Sequence, residues 1–129
     1  MTPGSGTVCG DDPQRARDPS QRPQPDAPEL ELTLVTMVFD ASDGDRLAAL
    51  LSRYVVTTRN VAGCRNIDLC AAVGSPDRFV VIEKWDSPVA HLAHFDSAAN
   101  EAFAVSIGPV LRRAPQVELL ESISAHDLA

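Results

Sequence analysis

Residues 79–85, Phe-Val-Val-Ile-Glu-Lys-Trp, are apolar on both alternating faces of an extended chain. Phe79, Val81 and Trp85 fall on one face, Val80 and Ile82 on the other, and only Glu83 and Lys84 interrupt the run. A strand half open to water alternates apolar with polar residues, so this one requires cover on both sides. Asp86-Ser87-Pro88 then ends it. The Ser87 hydroxyl suits a helix N-cap, and Pro88 suits the first helical turn, where its missing N–H is not needed. The helix that follows carries His91 and His94, three residues apart and therefore near one face.

The other elements arrange themselves around this strand and helix. Leu30 to Asp40 reads as the first strand, and its second half is again apolar on both faces. Ser42 or Asp43 can cap a helix reaching about Val61, in which Leu47, Leu50, Leu51, Tyr54, Val55 and Thr58 form one amphipathic stripe. Gly63 supplies a left-handed stop. Cys64 to Val73 is the second strand, with Ile67, Leu69, Ala71 and Val73 on its apolar face and Cys64, Asn66, Asp68 and Cys70 on the other. Gly74-Ser75-Pro76-Asp77 has hairpin chemistry and leads into the strand from Arg78 to Trp85. Asp96 or Ser97 caps a further helix that Gly108-Pro109 breaks or kinks, that resumes briefly to Arg113, and that Pro115 ends; Gln116 to Ser124 is the last strand.

Strand, helix, strand, strand, helix, strand is the order of the ferredoxin-like, split βαβ fold: α+β, a four-stranded antiparallel sheet with helices on one face only. Two strands apolar on both faces leave the other side of such a sheet in need of cover. A second copy packed sheet to sheet as a symmetric homodimer supplies it.

Composition separates the ends of the chain. Residues 1–28 hold six of the ten prolines, four Asp and three Arg, and no Leu, Ile or Phe. Such a segment cannot bury enough apolar surface to offset its ordering entropy, so it is expected to be a disordered tail ahead of one domain at 29–129. It has no apolar core of a signal peptide, and no run in the sequence is long and apolar enough for a transmembrane helix, so a cytoplasmic protein is expected. Residues 29–129 carry 8 basic and 14 acidic side chains, the basic ones scattered, which argues against nucleic acid and anionic membranes as partners. The three cysteines are Cys9, Cys64 and Cys70, an odd count that does not suit a disulfide framework. Six positions apart in a strand, Cys64 and Cys70 would share a face at ~20 Å, too far to bond or to share a metal, and they read as small hydrophobes.

The spaced residues Glu83-x-Trp85-x-Ser87-x-x-Ala90-x-x-x-His94-x-x-Ser97 resemble the signature of the antibiotic biosynthesis monooxygenase domain, a dimeric α+β barrel. Gly63-Cys64 and Pro76-Asp77-x-Phe79 are similar to it too, so the resemblance covers about Leu30 to Ser124. The domain occurs in cofactor-independent oxygenases of polycyclic quinol-type substrates, in haem-degrading proteins and in many members of undefined activity. Haem-degrading members use a helical histidine and a first-strand asparagine; those positions fall near Phe103 and Val35, neither of which can do that chemistry. The quinol oxygenases need no metal and no flavin, because a deprotonated electron-rich phenol can itself give an electron to dioxygen. The protein then supplies a base, an apolar pocket and orientation.

The resemblance makes His94 the expected base, in a pocket bordered by Glu83, Trp85, Phe103, Val35 and Met37, with a small apolar or aromatic substrate. His91 is expected to be a solvated neighbour, and a His91–His94 metal pair would have only the distant His126 as third ligand. Trp85 either stacks on a flat substrate or packs between helix and sheet. Glu83, a carboxylate inside an apolar strand, either pairs with Arg65 or Arg113 or borders the cavity with Trp85. Asn66 and Asp68 suit an interface or a pocket equally. Two other functions remain: a non-catalytic dimeric module binding a small molecule or partner, and haem binding.

Overall fold

In the computed structural model the chain divides into two units, Met1–Leu30 and Glu31–Ala129. The structure describes residues 32–124, all within the second unit. The expected tail at 1–28 and His126 lie outside the described residues.

The elements are β1 (Thr33–Asp40), α1 (Gly44–Thr58), β2 (Cys64–Ala71), β3 (Arg78–Trp85), α2 (Pro88–Phe95), α3 (Ala98–Ile107) and β4 (Gln116–Glu121), with a 3-10 turn at Gly108–Val110. The sheet order is β2-β3-β1-β4 and every pairing is antiparallel. This is the ferredoxin-like α+β arrangement that the element order predicts. The doubly apolar strands β1 and β3 are the two central ones, as their composition requires.

Each helix begins at a side-chain cap. Asp43 accepts from the Arg46 N–H, Ser87 from Ala90 and Ser97 from Asn100. Leu47, Leu51, Tyr54, Val55 and Thr58 form the buried stripe of α1. It packs with Phe39, Ala41, Ile67, Val81, Ile107 and Val110 into one core between the sheet and the helices.

Several boundaries differ from the pattern. α1 stops at Thr58 rather than Val61, and a turn carries the chain to Gly63, whose φ of 86° lies in the left-handed region. A Cβ at Gly63 would stand 2.5 Å from the Ala90 Cβ, so glycine lets this turn lie against α2. β2 ends at Ala71, and Val73 is fully exposed beyond it. The chain after α3 does not resume a helix to Arg113; Leu111 instead bridges to Ala41. β4 ends at Glu121.

Cys64 and Cys70 do not share a face. Cys64 is opposite Trp85 and Asn66 opposite Lys84, so a β-bulge at Arg65 shifts the register. The bulge turns Cys64 toward the core and leaves Cys70 exposed. Burial, with the Glu83 carboxylate nearby, pushes the Cys64 thiol up to about 11.

On the sheet face away from the helices, Leu34, Thr36, Val38, Val80 and Ile82 are half-buried and Leu120 is exposed.

Candidate functional site

The alternation of β3 turns Val81, Glu83 and Trp85 toward the helices, and all three are buried. Glu83 is a carboxylate with 1 % exposure, and both its oxygens are engaged. Oε1 accepts from the Trp85 indole N–H at 2.8 Å and Oε2 from the Tyr54 hydroxyl at 2.7 Å. The expected ion pair with Arg65 or Arg113 does not form. Arg65 pairs with Asp86 at 3.0 Å, drawn there by the bulge, and Arg113 pairs with Asp40 at the other end of the sheet. Two neutral donors hold the carboxylate instead, as a buried acceptor requires.

Tyr54 joins Glu83 to the histidine. Its oxygen lies 3.0 Å from His94 Nε2. A phenol has one proton, and here it goes to Glu83; the oxygen therefore accepts from a His94 Nε2–H. In the neutral ring this leaves the lone pair on Nδ1, which makes no hydrogen bond among the described residues. The imidazole lies against the Trp85 indole, ring centres 5.0 Å apart and planes at 27°. Burial lowers the His94 pKa below the ordinary imidazole value, with Glu83 opposing and His91 adding to the effect. Burial and the adjoining carboxylate hold the Tyr54 phenol far above its ordinary range, so it keeps its proton.

Two cavities meet at this chain of groups. An open apolar groove of about 770 Å³ runs between α1 on one side and α2 and α3 on the other. A smaller chamber of about 200 Å³ lies toward β1 and β4. Tyr54, His94, Asn100 and Phe103 line both and form the wall between them. Phe103 stacks on Tyr54 at 4.2 Å.

Of the residues expected at a site, His94 and Phe103 lie in this wall, and Glu83 and Met37 line the smaller chamber. Trp85 and Val35 are wholly buried and line neither cavity. Trp85 packs between sheet and α2, holding Glu83 and His94 rather than facing open space. His91 is not solvated: it is 5 % exposed, meets the Trp85 ring edge-on, and its buried Nδ1 has no hydrogen-bond partner among the described residues. Asn66 and Asp68 are exposed and bond to each other or to adjacent backbone. Tyr54 read in the sequence only as one member of a core stripe. Its signal was the hydroxyl, since a buried tyrosine needs a hydrogen-bond partner. Among the described residues no group of three or more His, Cys, Asp and Glu is placed to hold a metal ion.

A buried carboxylate, phenol and imidazole are joined in series beside an apolar groove, in a ferredoxin-like α+β fold. Residues 34–105 match the family model described as antibiotic biosynthesis monooxygenase, and the chain belongs to that family. Its fold is shared with solved structures of low sequence identity. A protein of unknown function from Nitrosomonas europaea is 17 % identical, with a TM-score of 0.69 over 78 % of this chain and 97 % of that one. A Shewanella oneidensis protein is 21 % identical, with a TM-score of 0.66 over 73 % and 93 %. A Mycobacterium tuberculosis protein is 23 % identical, with a TM-score of 0.66 over 75 % and 99 %. No curated protein matches the sequence.

Proposed function

We propose that the protein is a cofactor-independent monooxygenase of a polycyclic phenol or quinol-type molecule, with His94 as the base. The observation that carries this reading is the Glu83–Tyr54–His94 series, which engages His94 Nε2 and leaves Nδ1 to carry the lone pair of a ring that lines both cavities. At about 770 Å³ the groove has the volume of a site for a several-ring molecule, and the smaller chamber has room for dioxygen beside the same imidazole.

In this mechanism His94 Nδ1 takes the phenolic proton. The imidazolium is stabilised through Tyr54 by the Glu83 carboxylate. The phenolate gives one electron to dioxygen, and the resulting superoxide and phenoxyl radical join at the ring carbon para to the oxygen. His94 returns its proton to the outer peroxide oxygen, the para hydrogen leaves as a proton while the O–O bond breaks, and that proton and the expelled hydroxide form one water, leaving a quinone. One phenol and one dioxygen yield one quinone and one water, the substrate supplying all four electrons.

The protein acts in the cytoplasm as a homodimer, in which two copies bury the sheet face of Leu34, Val38, Val80 and Ile82, completing a dimeric α+β barrel. Oxygen uptake with a three-ring phenol whose para position bears hydrogen tests the activity: consumption above the buffer rate supports it, and none across neutral pH overturns it. A second reading, a dimeric module that binds the same ligands without turning them over, is favoured by the full engagement of Glu83 by Tyr54 and Trp85, a purely structural satisfaction of a buried charge. Ligand binding without oxygen uptake would establish it.

A further inference from the structure

The 770 Å³ groove is lined almost entirely by apolar and neutral side chains. Among the described residues its one charged lining side chain is Arg53, exposed on α1 beside Leu50 and Thr57. Arg65, Arg78, Arg112 and Arg113 are all spent on carboxylates. Arg53 has no ion pair or side-chain hydrogen bond among the described residues, although the chain as a whole carries a net charge of −7. The α1 side of the groove, from Leu50 to Thr58, is about 12 Å long, the span of a few fused rings. Its floor at Tyr54, His94 and Phe103 is aromatic.

We infer that the groove takes a flat aromatic monocarboxylate, its carboxylate on Arg53 and its rings against Tyr54, His94 and Phe103. The planar guanidinium fork matches the two oxygens of a carboxylate, and one cation in an otherwise neutral groove suits one negative charge. An acidic protein repels anions in general, so a single positive group at an apolar groove gives a local preference that the net charge would not. Under the proposed function, on whose groove this assignment rests, the substrate is an aromatic hydroxy acid held by its carboxylate while His94 meets its hydroxyl.

Anthraquinone-2-carboxylate and its methyl ester test this with the full-length protein. Binding is read by quenching of the single tryptophan, Trp85, which stacks on His94. Wild type should bind the acid about fivefold more tightly than the ester, the scale of a solvent-screened ion pair. The preference should shrink in 1 M NaCl. Arg53→Gln, at an exposed helical position that glutamine suits, should weaken the acid to the level of the ester and leave the ester unchanged. Equal wild-type affinity for acid and ester, or an acid affinity untouched by Arg53→Gln, overturns the assignment. So does failure of the acid to bind, whereas oxygen uptake with a neutral phenol would still stand as evidence for the oxygenase.

Discussion

His94 Nε2 lies 3.0 Å from the Tyr54 hydroxyl, a bond that links the middle of α1 to the second turn of α2. Because that hydroxyl also donates to Glu83, the histidine is oriented by a group that cannot take its proton. Tyr54→Phe keeps the ring and its stacking on Phe103 but removes the oxygen from both neighbours. Loss of the bond to a buried charged group should cost about 1–3 kcal/mol, read as a lower urea midpoint. An unchanged midpoint would show that the Tyr54 bonds add nothing to the fold.

Gly63 and Gly74 both have positive φ, but only Gly63 abuts another element. Alanine at Gly74 meets open space, so the backbone conformation alone should cost about 1 kcal/mol. Gly63→Ala adds a collision with Ala90 and should cost about 3 kcal/mol or more. Thermal melts of the two variants that coincide would contradict this account of the α1–β2 turn.

The depressed His94 pKa links stability to pH. The unfolded imidazole, with a pKa of about 6.5, binds its proton before the folded one does. The unfolded state therefore holds more protons as pH falls through that value, and stability declines from there down to the folded pKa. Burial sets the direction of the folded value, with Glu83 opposing it and His91 adding to it. Asp40, held below the usual carboxylate value by Arg78, acts at lower pH still. The urea midpoint should be lower at pH 5.5 than at pH 7.5, and His94→Phe should lessen the difference. An equal drop in the variant would assign the dependence to other groups.

The uncovered sheet face makes a separate prediction. Ile82→Glu places a charge in the proposed dimer interface, where it has no partner. Light scattering should report a dimer for wild type and a monomer with unchanged helical circular dichroism for the variant. A monomeric wild-type protein at micromolar concentration would contradict the dimer.

Much of this architecture was legible in the sequence because it depends on local chemistry. Ser87-Pro88 and Ser97 mark helix starts by their own hydroxyls and ring, and β1 and β3 announce central positions by being apolar on both faces. The bulge at Arg65 was not legible, since it arises from how β2 meets β3 and nothing in Cys64-Arg65-Asn66 demands it. Glu83 stood out as a carboxylate in an apolar strand and His94 through the family resemblance, but their connection did not. It runs through Tyr54, 29 residues before Glu83 and 40 before His94, and only the packing of α1 over β3 brings the three together. Trp85 illustrates the same limit: its alternation placed it on the correct face, but not beneath His94 instead of beside open space.

The central claim, that His94 is the base for an oxygen-consuming reaction, is tested most directly by oxygen uptake of His94→Ala with a three-ring phenol bearing a para hydrogen at pH 7.5, beside wild type and with the variant's fold checked by circular dichroism. Loss of a general base typically lowers the rate ~10²–10⁴-fold, and the account predicts a fall of that order in a folded protein. A folded His94→Ala variant consuming oxygen at the wild-type rate would contradict it.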